Sequence, residues 1–179
     1  MFISSLNRDY FLFQTLNEIG NVKSYVAKDP NTKSLFLINQ LTNRSLINAH
    51  IKDLISIDEQ RILEDFADLF TFDTKLYLVF KFNQPNPLVE YLHKSDWTFA
   101  EKIDLLKNYL FEISAQSELP LILKIALTDL DNINVHPDGF VYFNYLLKTE
   151  HFNGPMEPAR VYFGIAQIIE TIFDKDLTS

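Results

Sequence analysis

The sequence predicts an α+β chain in two lobes, a β-rich first half followed by a helix-rich second half with one hairpin. Three observations predict it. Runs rich in Val, Phe, Tyr and Leu fill the stretch between residues 10 and 80. The run Asn83-Gln84-Pro85-Asn86-Pro87 then breaks the composition, because two prolines suit neither a central strand nor a helix interior. Beyond it the apolar spacing changes to three and four residues, the helical period. The expected division is residues 1–83 and 84–179, two lobes of one domain, in keeping with a length of 179 residues.

Strands are expected at Tyr10-Phe11-Leu12-Phe13-Gln14-Thr15-Leu16, at Lys23-Ser24-Tyr25-Val26-Ala27 and at Leu35-Phe36-Leu37-Ile38, the last ending in Asn39-Gln40. Between the second and third, Asp29-Pro30-Asn31-Thr32 is a turn, since proline presets φ and Asp or Asn bonds back to the backbone. Ile47, Ile51 and Leu54 share one helical face, and Ser56-Ile57-Asp58-Glu59 has capping-box spacing for a further turn through Ile62 and Leu63. Phe66 to Phe70 fits helix or strand. A strand from about Leu69 is preferred, because a two-residue Asp73-Thr74 link joins Phe70-Thr71-Phe72 to Leu76-Tyr77-Leu78-Val79-Phe80 as a hairpin.

After the connector, Leu88-Val89-Glu90-Tyr91-Leu92 reads as a short helix. Thr98 caps a longer one, with Glu101 at the capping-box position and Phe99, Ile103, Leu106, Leu110 and Ile113 on one stripe. Leu121-Ile122-Leu123 is expected to be extended. Ile133-Asn134-Val135 and Phe140-Val141-Tyr142-Phe143 flank a His136-Pro137-Asp138-Gly139 hairpin turn. The last helix starts at Pro158 and aligns Val161, Ile165, Ile168 and Ile172.

Composition excludes several kinds of chemistry. With 24 acidic against 16 basic residues the net charge is −8, which opposes nucleic acid and anionic membranes. The absence of cysteine removes thiol catalysis, disulfides and thiolate metal sites. His50, His93, His136 and His151 show no i, i+4 pairing, so no metal site is expected. Only 4 glycines are present, few for loops that wrap phosphate closely. Gly139-Phe140-Val141-Tyr142-Phe143 faintly resembles an RNA-stacking strand, but no basic residue precedes it and a buried hairpin is the simpler reading. The N-terminus has no signal-peptide pattern, and the longest apolar stretch, near Leu119 to Leu123, falls far short of a spanning helix. A cytoplasmic location is therefore expected.

The order of these runs resembles the protein kinase fold, over roughly residues 10–174. Asp73 to Phe82 is similar to the fourth and fifth strands entering the hinge, and Leu88-Val89-Glu90-Tyr91-Leu92 to the short helix after it. Thr98 to Ala115 is similar to the long C-lobe helix. Asp131-Asn132-Ile133-Asn134-Val135 with the following hairpin resembles the catalytic-loop end, and Pro158 to Ile165 the start of the large buried helix. The resemblance implies a two-lobed kinase-like fold, a β-rich N-lobe with a reduced helical C-lobe. Against a complete kinase domain the chain is short after the last helix.

The same resemblance implies that the working groups are gone. Phosphoryl transfer needs a cation on the phosphates, ligands for Mg²⁺ and a base. The lysine position holds Asn39, the helix glutamate is best matched by Asp53, and the catalytic aspartate position is Leu127. Asn132 is the remaining metal-binding asparagine, and the Asp-Phe-Gly triplet falls on Tyr145-Leu146-Leu147. The turn Leu16 to Val22 keeps one glycine, Gly20, and the segment from Lys148 to Glu157 is too short for an activation segment.

The expectation is thus a pseudokinase, a non-catalytic protein-interaction or scaffold module without cofactor or metal, whose partners are proteins and which makes no membrane contact itself. Such modules occur as cytoplasmic heads of bacterial membrane proteins, such as a component of type VII secretion. The polar ending Lys175-Asp176-Leu177-Thr178-Ser179 fits a chain that continues into a linker. Weak nucleotide binding stays open, because the Lys81-Phe82-Asn83 hinge would use backbone groups. Two other readings stay open: an atypical active phosphotransferase with Asp129 as base and Asn132 on the metal, Asn144 standing in for the metal aspartate, and an unrelated α+β structural domain.

Overall fold

In a computed structural model, residues 1–60, 63–94 and 96–177 are described. The expected turn through Ile62 and the last two residues of the polar ending lie outside them. The chain forms two compact units, Met1–Asn83 with Tyr145–Gly154, and Gln84–Asn144 with Pro155–Ser179.

The first unit contains β1 (Phe2–Ser4), β2 (Asp9–Asn17), β3 (Val22–Lys28), β4 (Leu35–Leu41), α1 (Arg44–Gln60), β5 (Phe66–Phe72) and β6 (Lys75–Lys81). All six strands pair antiparallel in the order β1-β2-β3-β4-β6-β5. Alternation sends Tyr10, Leu12, Tyr25, Ala27, Phe36, Ile38, Tyr77 and Val79 to one face, where they pack with Ile3 as a core. The opposite face buries Val22, Val26, Leu37, Leu41, Leu78 and Phe80. Rings of Tyr10, Phe70 and Tyr77 stack nearly parallel, at 6.2 and 5.0 Å. The two ends of the sheet are tied through Asp68 on β5, whose Oδ2 accepts the Ser5 hydroxyl at 2.5 Å and the Tyr10 phenol at 3.1 Å.

Turn chemistry fixes the register. Asp29 Oδ1 accepts from the backbone N–H of Asn31 at 2.7 Å, as the Asp-Pro-Asn-Thr signal requires. Asp73 and Thr74 both take positive φ, 49° and 61°, the type I′ geometry that matches strand twist. β5 begins at Phe66 rather than Leu69, through a bulge between Phe66 and Asp68. Ser56 does not start a new helix. It lies inside α1 and donates to the Asp53 carbonyl at 2.6 Å.

The second unit contains α2 (Leu88–His93), α3 (Phe99–Ala115), α4 (Leu121–Ala126), β7 (Ile133–Val135), β8 (Val141–Phe143) and α5 (Pro158–Leu177). Thr98 and Glu101 form the expected capping box at the head of α3. Its buried face is turned away from the expected stripe: Lys102, Leu105 and Tyr109 are inside, while Phe99 and Leu110 are 64% and 39% exposed. Leu121-Ile122-Leu123 is helical, not extended. A short apolar run has no diagnostic period, and Pro120 with φ −52° leads it into α4. The proline connector is stitched to the β7–β8 hairpin by Asn134 Oδ1 accepting from Asn86 N–H at 2.9 Å and by Tyr142 donating to the Gln84 carbonyl at 2.6 Å. On α5, Ile168 and Ile172 are buried as expected, with Val161 and Ile165 half-buried. Gly164 sits in this helix because a Cβ there would lie 2.2 Å from Thr128 Oγ1.

The expected two-lobed kinase-like fold with a helical C-lobe is not the one observed. The dominant feature is a six-stranded antiparallel half-barrel sheet. Among the described residues of the second unit, α3 and α5 alone exceed six residues, beside a two-stranded sheet. Two physical features explain the difference. The sheet gains β1, three residues too short to show a period. In addition, Tyr145–Gly154 folds with the first unit instead of extending a helical lobe.

Candidate functional site

The best-defined polar constellation lies in the first unit, where Tyr145–Gly154 is strapped onto the sheet. Asn39 on β4 shares its strand face with Leu37 and Leu41, so alternation drives its amide inward, and it is fully buried. Its Nδ2 donates to the Tyr145 carbonyl at 2.8 Å, and its Oδ1 accepts the Leu147 N–H at 2.9 Å. Oδ1 also lies 2.8 Å from the Ser24 hydroxyl, which has the Leu147 carbonyl as a second acceptor at 3.1 Å. A carboxamide offers a donor and an acceptor side by side. It therefore meets residues i and i+2 of an extended segment as a neighbouring strand would. Leucine or lysine at position 39 would leave the Leu147 N–H without an acceptor.

The rest of the strap is held by packing and by one close approach. The Tyr145 ring stacks on Phe80 at 4.9 Å and is buried. Thr149 Oγ1 accepts from the Asn21 N–H at 3.0 Å and donates to the Ile19 carbonyl at 3.3 Å. Gly20, at φ 75°, makes that possible, since a Cβ there would lie 2.4 Å from Thr149 Oγ1. The single glycine of the first turn thus makes room for a threonine of the same chain. His151 is buried and its Nδ1 accepts the Lys148 N–H at 3.1 Å, while the Phe152 ring meets His50 edge-on at 5.3 Å.

Of the five positions singled out in the sequence, Asn39 and Tyr145 are brought together by a direct hydrogen bond. Asp53 is in the same unit but exposed on α1. In the second unit, Leu127 is fully buried at the end of α4, its N–H bonded to the Leu123 carbonyl at 2.9 Å. Asn132, also fully buried, donates through Nδ2 to the Ala126 carbonyl at 2.8 Å, capping α4. Asp129 Oδ1 accepts from the Asp131 N–H at 3.0 Å, and the Asn144 N–H donates to the Asn132 carbonyl at 3.0 Å. At Lys81-Phe82-Asn83, which the sequence resemblance reads as a hinge, the N–H groups of Lys81 and Phe82 go to the carbonyls of Asp65 and Leu35 at 2.7 and 3.1 Å.

The sequence does not point to Ser24 or Thr149 as members of this site, and Leu147, named there only within the Tyr145-Leu146-Leu147 triplet, is not seen as the partner of Asn39. Ser24 carried a usable signal, a small polar residue in mid-strand directly opposite Asn39. Leu147 and Thr149 carried none, because their contacts span more than 100 residues. The constellation is amide, hydroxyl and main chain, and what it does chemically is hold an extended peptide segment. Among the described residues no group of three His, Cys, Asp or Glu side chains gathers to hold a metal, and no helix is long and apolar enough to cross a membrane. No protein-family model matches the sequence, and no curated protein is similar to it.

Proposed function

We infer that the chain is a non-catalytic module whose work is binding protein partners. The observation that carries this reading is Asn39. The position where the sequence resemblance looks for a phosphate-binding cation holds a neutral amide, fully occupied by the backbone of Tyr145 and Leu147. Leu127 supports it, being apolar and buried where the sequence resemblance looks for a base, whose loss alone costs about 10²–10⁴-fold. A neutral amide at 39 supplies no cation for phosphoryl transfer, and Asn132, the metal ligand that the resemblance retains, is buried and donates its Nδ2 to the Ala126 carbonyl.

The test is thermal unfolding with and without millimolar ATP and Mg²⁺. A ligand bound to the folded state alone raises apparent stability, by about 2.7 kcal/mol at a hundredfold excess over its Kd. The melting temperature is expected to stay put. A clear rise shows nucleotide binding, and phosphoryl transfer that disappears in Asp129→Ala overturns the reading in favour of an active phosphotransferase.

A further inference from the structure

We propose that the outer edge of β5 is a strand-docking site for an extended partner segment, neutral and alternating in its centre and basic at its ends. The inference rests on the interaction-module reading and gives it a surface. β5 is the last strand of the sheet, paired to β6 on one side only. The two-residue Asp73-Thr74 hairpin makes Phe72 and Lys75 a hydrogen-bonded pair, and alternation then assigns Phe70 with Tyr77 and Asp68 with Val79 to the ladder. The main-chain groups of Leu69 and Thr71 accordingly point to the free edge. Unpaired edge groups of this kind are a template for another strand.

The space beside that edge is open and suited to side chains. A groove of about 590 Å³ takes in Leu69, Phe70 and Thr71 of β5 together with Ser4, Ser5 and Leu6. Ile51 and Ile55 of α1 and Leu76 of β6 complete its lining. No lining residue is charged, so a segment entering here must be uncharged where it touches the wall. Acidic residues bracket the strand instead: Glu64 and Asp65 precede β5 and Asp73 follows it, with the Glu64 and Asp73 side chains 96% and 75% exposed. Lys75 pairs with Asp73, and Lys81 with Glu64 and Asp65, at 3.8–3.9 Å, so three acids against two lysines leave these ends net negative. With a net charge of −8 behind them, these acids complement a segment with lysine or arginine at both ends.

Edges are usually blunted by lysine, proline, a bulge or an inward charge. Here the bulge and the buried Asp68 guard the start of β5, while the residues whose main chain faces outward, Leu69 and Thr71, are neither lysine nor proline. The fold has closed its other end differently: Ser5 and Tyr10 reach Asp68 through side chains and leave the main chain of Leu69 and Thr71 untouched.

The experiment titrates the synthetic peptide acetyl-Lys-Val-Thr-Val-Thr-Val-Lys-amide into the full chain and follows backbone amides by NMR. The Leu69 and Thr71 amides are expected to shift and to exchange with solvent about tenfold more slowly. The same peptide with proline at alternate positions leaves them unchanged, and raised salt weakens binding. Thr71→Lys is expected to abolish the shifts while its melting temperature stays near that of the parent. Binding that spares these two amides, or no binding at millimolar peptide, overturns the proposal. So does self-association that protects the same amides without peptide, which gives the edge to a second copy, or their equal response to decanoate, which gives the groove to small apolar molecules. The ATP titration reads other groups. Failure of the strand with no phosphoryl transfer removes this surface alone, whereas Asp129-dependent phosphoryl transfer removes the module reading.

Discussion

Replacing Asn39 by leucine keeps the number and branching of the side chain's heavy atoms and deletes its hydrogen bonds. The buried Leu147 N–H loses its acceptor and the Tyr145 carbonyl loses the Asn39 donor, while Ser24 retains the Leu147 carbonyl as an acceptor. A buried N–H left unpaired costs about 1–3 kcal/mol and one lost hydrogen bond about 0.5–1.5 kcal/mol, so an intact strap would lose about 1.5–4.5 kcal/mol. The strap can instead lift into water. That forfeits the Tyr145–Phe80 stack, about 0.5–1.5 kcal/mol, together with burial of the Leu147 side chain, about 1.5–3 kcal/mol. Both routes converge on a loss of about 2–4 kcal/mol, a large share of the 5–15 kcal/mol typical of a domain. Urea unfolding measures the loss, and exchange of the Leu147 amide distinguishes a strained strap from a lifted one. Asn39→Lys should be at least as damaging, since an ammonium cannot accept from Leu147. Asn39→Asp sets an oxygen against the Tyr145 carbonyl. Its folded pKa is therefore raised, and the variant should gain stability relative to the parent as pH falls towards the ordinary aspartate value. A loss below about 1 kcal/mol in Asn39→Leu with the Leu147 amide still protected would refute the reasoning.

Gly164→Ala, elsewhere about 1 kcal/mol stabilising in a helix interior, should here lower the melting temperature. The new Cβ would meet Thr128 Oγ1 at 2.2 Å and Cβ at 2.5 Å, and Thr128→Gly in the same chain should recover part of the loss. The Asp29 carboxyl is held below the usual range by the Asn31 N–H, then by the hydroxyl and N–H of Thr32 and by Arg8 at 3.5 Å. A lowered folded pKa gives stability that is complete above about pH 4 and lost as pH falls through the folded value. Asp29→Asn should accordingly flatten the acid limb of a stability–pH curve measured by denaturant unfolding.

Local chemistry made much of this structure legible. The Asp29-Pro30 turn, the Thr98–Glu101 box, the Gly139 hairpin and the Pro158 start each follow from residues within four positions of one another. Short runs without a period, such as Leu121-Ile122-Leu123, mislead locally, and the larger failures depend on distant partners. β1 is held by β2 rather than by any pattern of its own three residues. The buried face of α3 departs from the expected stripe because Lys102, a charge that an apolar pattern leaves out, is buried on the same face as Tyr109. The fold class failed for a related reason. The order of runs can imitate a kinase, but which strands pair, and to which unit Tyr145–Gly154 returns, is decided by contacts that local sequence does not encode. At the candidate site, the unusual Asn39 was visible and its clasp on Leu147 was not.

Because residues 145–154 complete the unit begun by residues 1–83, the chain's path leaves that unit and comes back to it. On a ribosome, the amino-terminal sheet must wait with Asn39 and Ser24 uncovered until more than sixty further residues have emerged. An excised piece ending at Asn83 would carry the same exposed polar pair for good. Complementation by a short synthetic copy of residues 145–154 is the natural way to make such a piece whole.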